Sequence, residues 1–291
     1  MGRGDYHFCT DGLKGSDIFN NVTQYALGMI LLGLIRIKFS IKIYAFTLMP
    51  NHIHIILNGT GADCLQAFDY LKRKLSARLK RDGYNPLPED YGFKLTLIES
   101  PEQMRTEIIY VLRNPLEKGL AIVGCYLWSS AWLYYSGMTE LADSMPEIRP
   151  STREIRKLTG GDEPFPRQWR FHPFLGLHPK YFVDSSRVLE LFPEAKDLQI
   201  ALVKDFETFF QIASRLGEIY EFSKAEREAI VSQVLQKRFN GRGLNSMSEA
   251  DKGKLAITLN REFGFSSYNI STTIFIKEKV VRQLLGSKEC R

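Results

Sequence analysis

The stretch IKIYAFTLMPNHIHIIL, residues 41–57, carries the clearest secondary-structure pattern in the chain. Two apolar runs, 41–47 and 52–57, flank Met49-Pro50-Asn51, whose proline and asparagine suit a tight connection. The pattern therefore predicts two antiparallel strands joined by a hairpin. His52 and His54 are two positions apart in the second run, so their side chains point to the same face of that strand. Alone, this pair fits either two hydrogen-bonded histidines at a sheet end or half of a metal site.

The segments on either side of the hairpin complete an α+β pattern. The predicted elements are a strand over 6–10, a helix from Ser16 or Asp17 to about 38, a helix over 63–81, a strand over 93–98 and a helix from Pro101 to about 114. The order β-α-β-β-α-β-α indicates a ferredoxin-like split βαβ layout, in which an antiparallel sheet carries its helices on one face.

The rest of the chain divides into a predicted linker and a helical end. Residues 1–140 form the predicted α+β domain. Residues 141–181 contain prolines and Gly160-Gly161 and are predicted to be a linker. Residues 182–291 show helical patterns over 184–192, 195–215, 223–239 and 248–263, followed by two short helices.

The two short helices at the end, over 267–273 and 277–285, have the spacing of a helix-turn-helix. Lys277, Lys279 and Arg282 would lie on its recognition helix and contact DNA. A small helical bundle with a solvated basic face fits this pattern equally well.

Composition narrows the class of protein. The net charge is +6, and the last 61 residues hold 11 Lys and Arg against 5 Asp and Glu. This excess favours a nucleic-acid partner. The longest apolar run, 26–35, is well short of the roughly 20 residues of a membrane span. We expect no signal peptide, and four scattered cysteines without CxxC spacing indicate a reducing cytoplasm.

A further polar pair lies on the predicted helix that begins at Pro101. Tyr110 and Asn114 are four positions apart, so they lie on one helical face. Tyr110 is a candidate nucleophile, and the Asn114 side-chain carbonyl is a candidate oxygen ligand. The ordinary alternative is a core tyrosine followed by an Asn-Pro pair that ends the helix.

Taken together, these motifs resemble those of the HUH single-tyrosine transposases, and most of all the REP-associated tyrosine transposases and related insertion-sequence transposases. His52-Ile53-His54 matches the family's histidine pair. YVLRNPLEKGL, residues 110–120, follows its form Tyr-x-x-x-Asn-Pro, then a basic residue, Gly and a hydrophobic residue. Trp128-Ser129-Ser130 falls where the family has Trp-Ser-Ser. The resemblance covers roughly residues 5–137.

The resemblance implies an enzyme that cleaves and rejoins single-stranded or hairpin DNA. His52, His54 and Asn114 would hold one Mg²⁺ or Mn²⁺ that acts as a Lewis acid. Tyr110 would attack the phosphodiester, leaving a 5′-phosphotyrosine and a free 3′-OH. One alternative is a domesticated protein that binds DNA hairpins without transposition. An unrelated metal-dependent hydrolase would need more carboxylates near the histidines than the sequence offers.

DNA contacts are further predicted for the basic side of the 63–81 helix. Its members are Lys72, Arg73, Lys74, Arg78, Lys80 and Arg81; a solvated surface face is the plain alternative. His7 is predicted to be structural. We expect a cytoplasmic, nucleoid-associated protein with no membrane contact, and the sequence leaves the oligomeric state open, a homodimer included.

Overall fold

A computed structural model describes residues 2–120, 125–134, 148–161, 163, 165–172, 174–204, 212, 215–216 and 224–286. The chain forms two compact units, residues 1–204 and 205–291. Within the described residues, no helix combines the length and the apolar character that crossing a membrane requires.

The first unit is built on a four-stranded antiparallel sheet. Its strands are β1 (Gly4–Thr10), β2 (Lys42–Leu48), β3 (Ile53–Gly59) and β4 (Phe93–Ile98), in the spatial order β2-β3-β1-β4. The predicted hairpin is β2–β3, and its register places His54 between Thr47 on β2 and Cys9 on β1. This order and the accompanying helices confirm the predicted α+β, ferredoxin-like class.

Helices α1 (Val22–Lys38) and α2 (Gly61–Arg81) pack on one face of the sheet, as the split βαβ layout predicts. Helix α1 begins later than the sequence suggested, because the Asn21 side chain, and not Ser16 or Asp17, caps it by accepting from Gln24 N. A capping box of Thr60 and Asp63 begins α2.

Helix α3 (Pro101–Glu117) covers the opposite face of the sheet, so the prediction of helices on one face holds for α1 and α2 but not for α3. Thr47 donates to the carbonyl of Val111 at 2.7 Å, and Glu107 contacts His7 at 2.8 Å. Because helices cover both faces, β3 is buried along almost its whole length. The alternate residues of β3 therefore enter two different environments, an apolar core beneath α1 and α2 and a polar layer beneath α3.

The described part of the predicted linker is folded and belongs to the first unit. It contains α4 (Thr152–Thr159) and a short hairpin of β5 (Phe171–His172) and β6 (Gly176–Leu177), while residues 141–147 lie outside the described part of the chain. Gly176 has a φ of +71°, and a Cβ there would lie 2.3 Å from the carbonyl oxygen of Ala26. This close approach lets the hairpin pack directly against α1. Helices α5 (Ser186–Leu191) and α6 (Ala195–Lys204) follow.

The second unit is helical where it is described. It contains α7 (Lys224–Arg238), α8 (Glu249–Phe263), α9 (Ser267–Ile274) and α10 (Glu278–Leu285) around a common apolar core. The patterns over 223–239 and 248–263 and the two short helices are confirmed. Residues 205–211 and 213–214 of the predicted 195–215 helix lie outside the described residues.

Candidate active site

The two histidines of the opening stretch lie at the turn end of the β2–β3 hairpin. His54 is within β3 and fully buried, whereas His52 directly precedes the strand and is 4% exposed. The turn is closed by a hydrogen bond from Met49 N to the His52 carbonyl oxygen at 2.9 Å. The Nε2 atoms of the two rings are 2.8 Å apart. The structure therefore directs one nitrogen of each ring toward the same point.

The other nitrogen of each ring contacts a protein group. His52 Nδ1 lies 2.7 Å from Asn51 Oδ1, and the Asn51 amide is oriented by donation from its Nδ2 to the Leu13 carbonyl oxygen at 3.1 Å. Because Asn51 presents an oxygen, His52 Nδ1 is the donor in that contact. His54 Nδ1 lies 3.1 Å from His7 Nε2. His7, predicted to be structural, is thus in direct contact with one of the candidate ligands.

Helix α3 brings Tyr110 against this cluster. The ring centroid of Tyr110 is 5.4 Å from that of His54 and 5.7 Å from that of His7. Its side chain is fully buried, with the hydroxyl inside the protein. The sequence-predicted nucleophile and histidine pair are therefore neighbours, although the hydroxyl faces the interior.

Asn114 lies one helical turn beyond Tyr110 on the same face of α3. Glu107 contacts His7 near the middle of the sheet and Tyr110 contacts His54, so α3 runs toward the end of β3 at which His52 lies. Asn114 Nδ2 donates to the Tyr110 carbonyl oxygen at 3.3 Å. Its Oδ1 is buried and has no hydrogen-bond partner among the described residues. Leaving a buried carbonyl unsatisfied is costly, which indicates a ligand for that oxygen.

These donors fit a divalent cation. Two imidazole nitrogens and one amide oxygen form a mixed N,O set that suits Mn²⁺ and is softer than Mg²⁺ prefers. Burial is the largest cause of a pKa for His54 that lies well below its usual value, so its ring is neutral and able to bind a metal ion. Among the described residues, no group of three or more His, Cys, Asp or Glu is placed to share an ion, so the third ligand would be the amide.

Helix α3 does not end at the Asn-Pro pair, and the prediction of an end near 114 is wrong. The helix continues through Pro115 to Glu117. Proline has no N–H for the carbonyl of Val111 four residues earlier, but Thr47 Oγ1 donates to that oxygen at 2.7 Å. Ser129 of the Trp-Ser-Ser segment lies beside Thr47 and pairs with β2 through an isolated bridge.

Three further residues near the site are not in the predicted set. Lys118, just after α3, is exposed and close enough for its charge to act on His54. It is the basic residue of the motif that follows Asn114-Pro115, which was the available sequence signal. Arg113 and Glu117 form a buried ion pair in the last turns of α3; neither carried a sequence signal beyond the i,i+4 spacing.

The basic side of α2 is largely occupied by contacts within the protein. Lys72 Nζ donates to the carbonyl oxygens of Glu89 and Tyr91, and Lys74 binds Glu163. Arg78 pairs with Asp82 at 2.6 Å, and Arg81 donates to the Lys157 carbonyl oxygen. Arg73 and Lys80 are exposed, and the Arg73 guanidinium lies over the Tyr70 ring. The structure thus leaves a smaller basic surface on α2 than the sequence suggested.

In the second unit, Lys277 and Lys279 are exposed at the start of α10. Arg282 on the same helix is paired with Glu278 at 2.8 Å. Phe275, between α9 and α10, is 76% exposed and has a φ of +57°.

No protein-family model matches the chain, and no curated protein matches it significantly. Among solved structures, it is similar to a REP-associated tyrosine transposase bound to a REP hairpin, with a TM-score of 0.38 and 18% identity, covering 46% of this chain and 81% of that chain. That protein is a member of the family that the motifs around His52 and Tyr110 resemble. The α+β class of this chain follows from its own sheet order and helices.

Proposed function

We propose that the chain is a metal-dependent DNA transposase or endonuclease that cleaves and rejoins single-stranded DNA. Tyr110 is the nucleophile, and His52, His54 and Asn114 hold one Mg²⁺ or Mn²⁺. One observation carries the proposal: the Nε2 atoms of His52 and His54 face each other at 2.8 Å beside the Tyr110 ring. Only a shared proton or a shared cation relieves the repulsion of two nitrogen lone pairs in this arrangement.

The chemistry is a phosphoryl transfer to the tyrosine. A divalent ion at this site would polarise the scissile phosphodiester as a Lewis acid. The Tyr110 oxygen forms a bond to phosphorus while the bond from phosphorus to the DNA 3′ oxygen breaks. The phenolic proton ends on that oxygen as a free 3′-OH, which balances the step. Attack by another 3′-OH reverses it, so strand transfer is favoured over hydrolysis.

Hairpin-bearing single-stranded DNA is the substrate that the motifs imply. Lys118 near His54 and the exposed Arg73 and Lys80 of α2 would contact its phosphates. In the second unit, Lys277 and Lys279 would add DNA affinity. Such a protein would act at the nucleoid.

One observation favours a second candidate, a protein that binds DNA hairpins without cleaving them. The Tyr110 hydroxyl is fully enclosed beneath α3. Phosphorus cannot approach it unless α3 moves relative to β3. If that movement does not occur, the chain binds DNA and forms no covalent product.

A covalent-trapping experiment separates the two candidates. The probe is a 3′-labelled pool of DNA hairpins with randomised single-stranded flanks, incubated with the full chain and Mn²⁺. The enzyme would stay attached to the 3′ fragment, so a labelled adduct should appear on a denaturing gel.

Two tyrosine substitutions test which residue forms the covalent bond to DNA. Tyr110→Phe should give no adduct, whereas Tyr6→Phe should retain it, because Tyr6 is a buried tyrosine whose hydroxyl donates to the Gly2 carbonyl oxygen. An adduct that persists in Tyr110→Phe contradicts the assigned nucleophile. Hairpin binding by the wild type without any adduct supports the second candidate.

A further inference from the structure

A buried hydrogen-bonded chain extends behind His54. Glu107 Oε2 on α3 lies 2.8 Å from His7 Nδ1 on β1, and His7 Nε2 lies 3.1 Å from His54 Nδ1 on β3. The exposure of all three side chains is 1% or less. The phosphoryl transfer described above assigns no role to His7 or Glu107.

The carboxylate sets the direction of the hydrogen bonds. An ionised Glu107 only accepts, so His7 Nδ1 carries the proton in that contact. With one N–H on each ring, His7 Nε2 is then an acceptor and His54 Nδ1 is its donor. The Nε2 atom of His54 is consequently left with a lone pair.

The same reasoning applies to His52 from the other side. Its Nδ1 donates to Asn51 Oδ1, so its Nε2 also carries a lone pair. The two lone pairs meet at the point where the Nε2 atoms are 2.8 Å apart. A carboxylate or carbonyl behind a ligating histidine is the usual way in which proteins fix its tautomer.

We propose that His7 and Glu107 are positioning residues that hold His54 in the tautomer with its proton on Nδ1 and its Nε2 lone pair directed at the metal ion. The inference rests on the metal site proposed above. It adds a second layer to that site, contributed by β1 and by the helix that carries Tyr110.

Three substitutions separate positioning from packing. His7→Leu removes the acceptor for His54 Nδ1–H, and His7→Gln places a carbonyl oxygen at the position of His7 Nε2. Glu107→Gln removes the charge, and its amide can donate to His7 Nδ1, which would reverse the chain of hydrogen bonds. His172→Gln is the matched control, because His172 is a buried histidine that accepts from backbone N–H groups away from this site.

The first measurement is the Kd for Mn²⁺ of the folded full chain, by titration calorimetry. His7→Leu and Glu107→Gln should bind Mn²⁺ about 10–100-fold more weakly than wild type, the range found when such outer partners are removed. His7→Gln should recover most of the affinity, and His172→Gln should not differ from wild type. The second measurement is nitrogen-15 NMR of histidine-labelled protein with Mg²⁺, which should find the His54 proton on Nδ1.

Two results would overturn the inference while leaving the proposed function intact. The first is that both His7→Leu and Glu107→Gln bind Mn²⁺ as tightly as the wild type. The second is that the His54 proton lies on Nε2 in the Mg²⁺-bound wild type. Failure of the wild type to bind Mn²⁺ would overturn both the metal site and the inference. If His7→Leu does not fold, the recovery of Mn²⁺ affinity in His7→Gln still tests the inference.

Discussion

At the scale of single residues, Asn114 is a polar side chain of the site whose hydrogen-bonding capacity is only partly used. Its Oδ1 is buried without a hydrogen-bond partner in the described structure, while its Nδ2 makes one long contact of 3.3 Å. An unsatisfied buried carbonyl destabilises the fold, so its presence here is easiest to explain by a ligand. The residue type and its spacing from Tyr110 were visible in the sequence, but the burial of the oxygen was not.

Asn114→Leu should raise stability while removing metal binding. Leucine is of similar size and has no carbonyl to desolvate, so we expect the free energy of unfolding in EDTA to rise by about 1 kcal/mol. The proposed metal site predicts that Mn²⁺ stabilises the wild type, and the variant should lose that stabilisation. Urea unfolding with EDTA or Mn²⁺ measures both effects.

Asn58→Leu is the matched control for this substitution. Asn58 Nδ2 donates to Asp5 at 2.7 Å, so its replacement should lower stability and leave the Mn²⁺ effect unchanged. Equal destabilisation of the two variants in EDTA would contradict the idea that the Asn114 oxygen is held at a cost to the fold.

At the scale of elements, the position of Tyr110 depends on how α3 is attached to β2. Pro115 leaves the Val111 carbonyl without its helical donor, and the hydroxyl of Thr47 on β2 supplies the missing hydrogen bond to α3. The Asn-Pro pair therefore anchors the helix instead of ending it. Sequence rules place a helix end before proline because they include only local donors, and Thr47 is distant in sequence from Pro115.

A double-mutant cycle tests this anchor. Thr47→Val leaves the buried Val111 carbonyl without the hydroxyl donor and should cost about 1–2 kcal/mol. Pro115→Ala restores a backbone N–H that can bond the same carbonyl. Pro115→Ala should therefore be more favourable in the Thr47→Val background than in wild type, by about 1 kcal/mol of coupling measured by urea unfolding.

The cycle removes effects common to both backgrounds, such as the volume lost with the proline ring. Ser129→Ala serves as the control, because it changes a neighbour of Thr47 and leaves the Val111 hydrogen bond in place. Additivity of Thr47→Val and Pro115→Ala within about 0.3 kcal/mol would show that the two residues do not share that carbonyl.

At the scale of the whole molecule, Glu163 links the segment after α4 to helices α1 and α2 of the first unit. It accepts from Lys38 on α1 at 2.8 Å, and from Lys74 and Tyr70 on α2 at 2.9 and 2.7 Å. Burial raises its pKa, but the bonds from Lys38, Tyr70 and Lys74 outweigh burial and lower that pKa to about 2. This cluster explains why part of a stretch rich in proline and glycine folds with the first unit.

Glu163→Gln should weaken the pH dependence of folding. The pKa of about 2 in the folded protein lies below the unfolded value of about 4.3, so this carboxylate stabilises the fold above pH 4.3 and loses its effect as the pH falls toward 2. The variant should be about 1–3 kcal/mol less stable at pH 7 and lose less stability between pH 5 and 2.

Thermal and urea unfolding across that pH range measure the difference. Glu99→Gln, an exposed carboxylate on the same unit, should reproduce the wild-type curve. Parallel curves for Glu163→Gln and wild type would exclude the proposed contribution.

Local sequence patterns suffice to predict the β2–β3 hairpin, the α+β element order and the same-face pair of His52 and His54. These features depend on local periodicity and turn chemistry, which neighbouring residues fix. Only the tertiary structure placed His7 and Glu107 behind His54, carried α3 through Pro115 and enclosed the Tyr110 hydroxyl. Each of these depends on the register of β1 with β3 or on the packing of α3 against the sheet. Such contacts join residues far apart in the chain, so no local pattern records them.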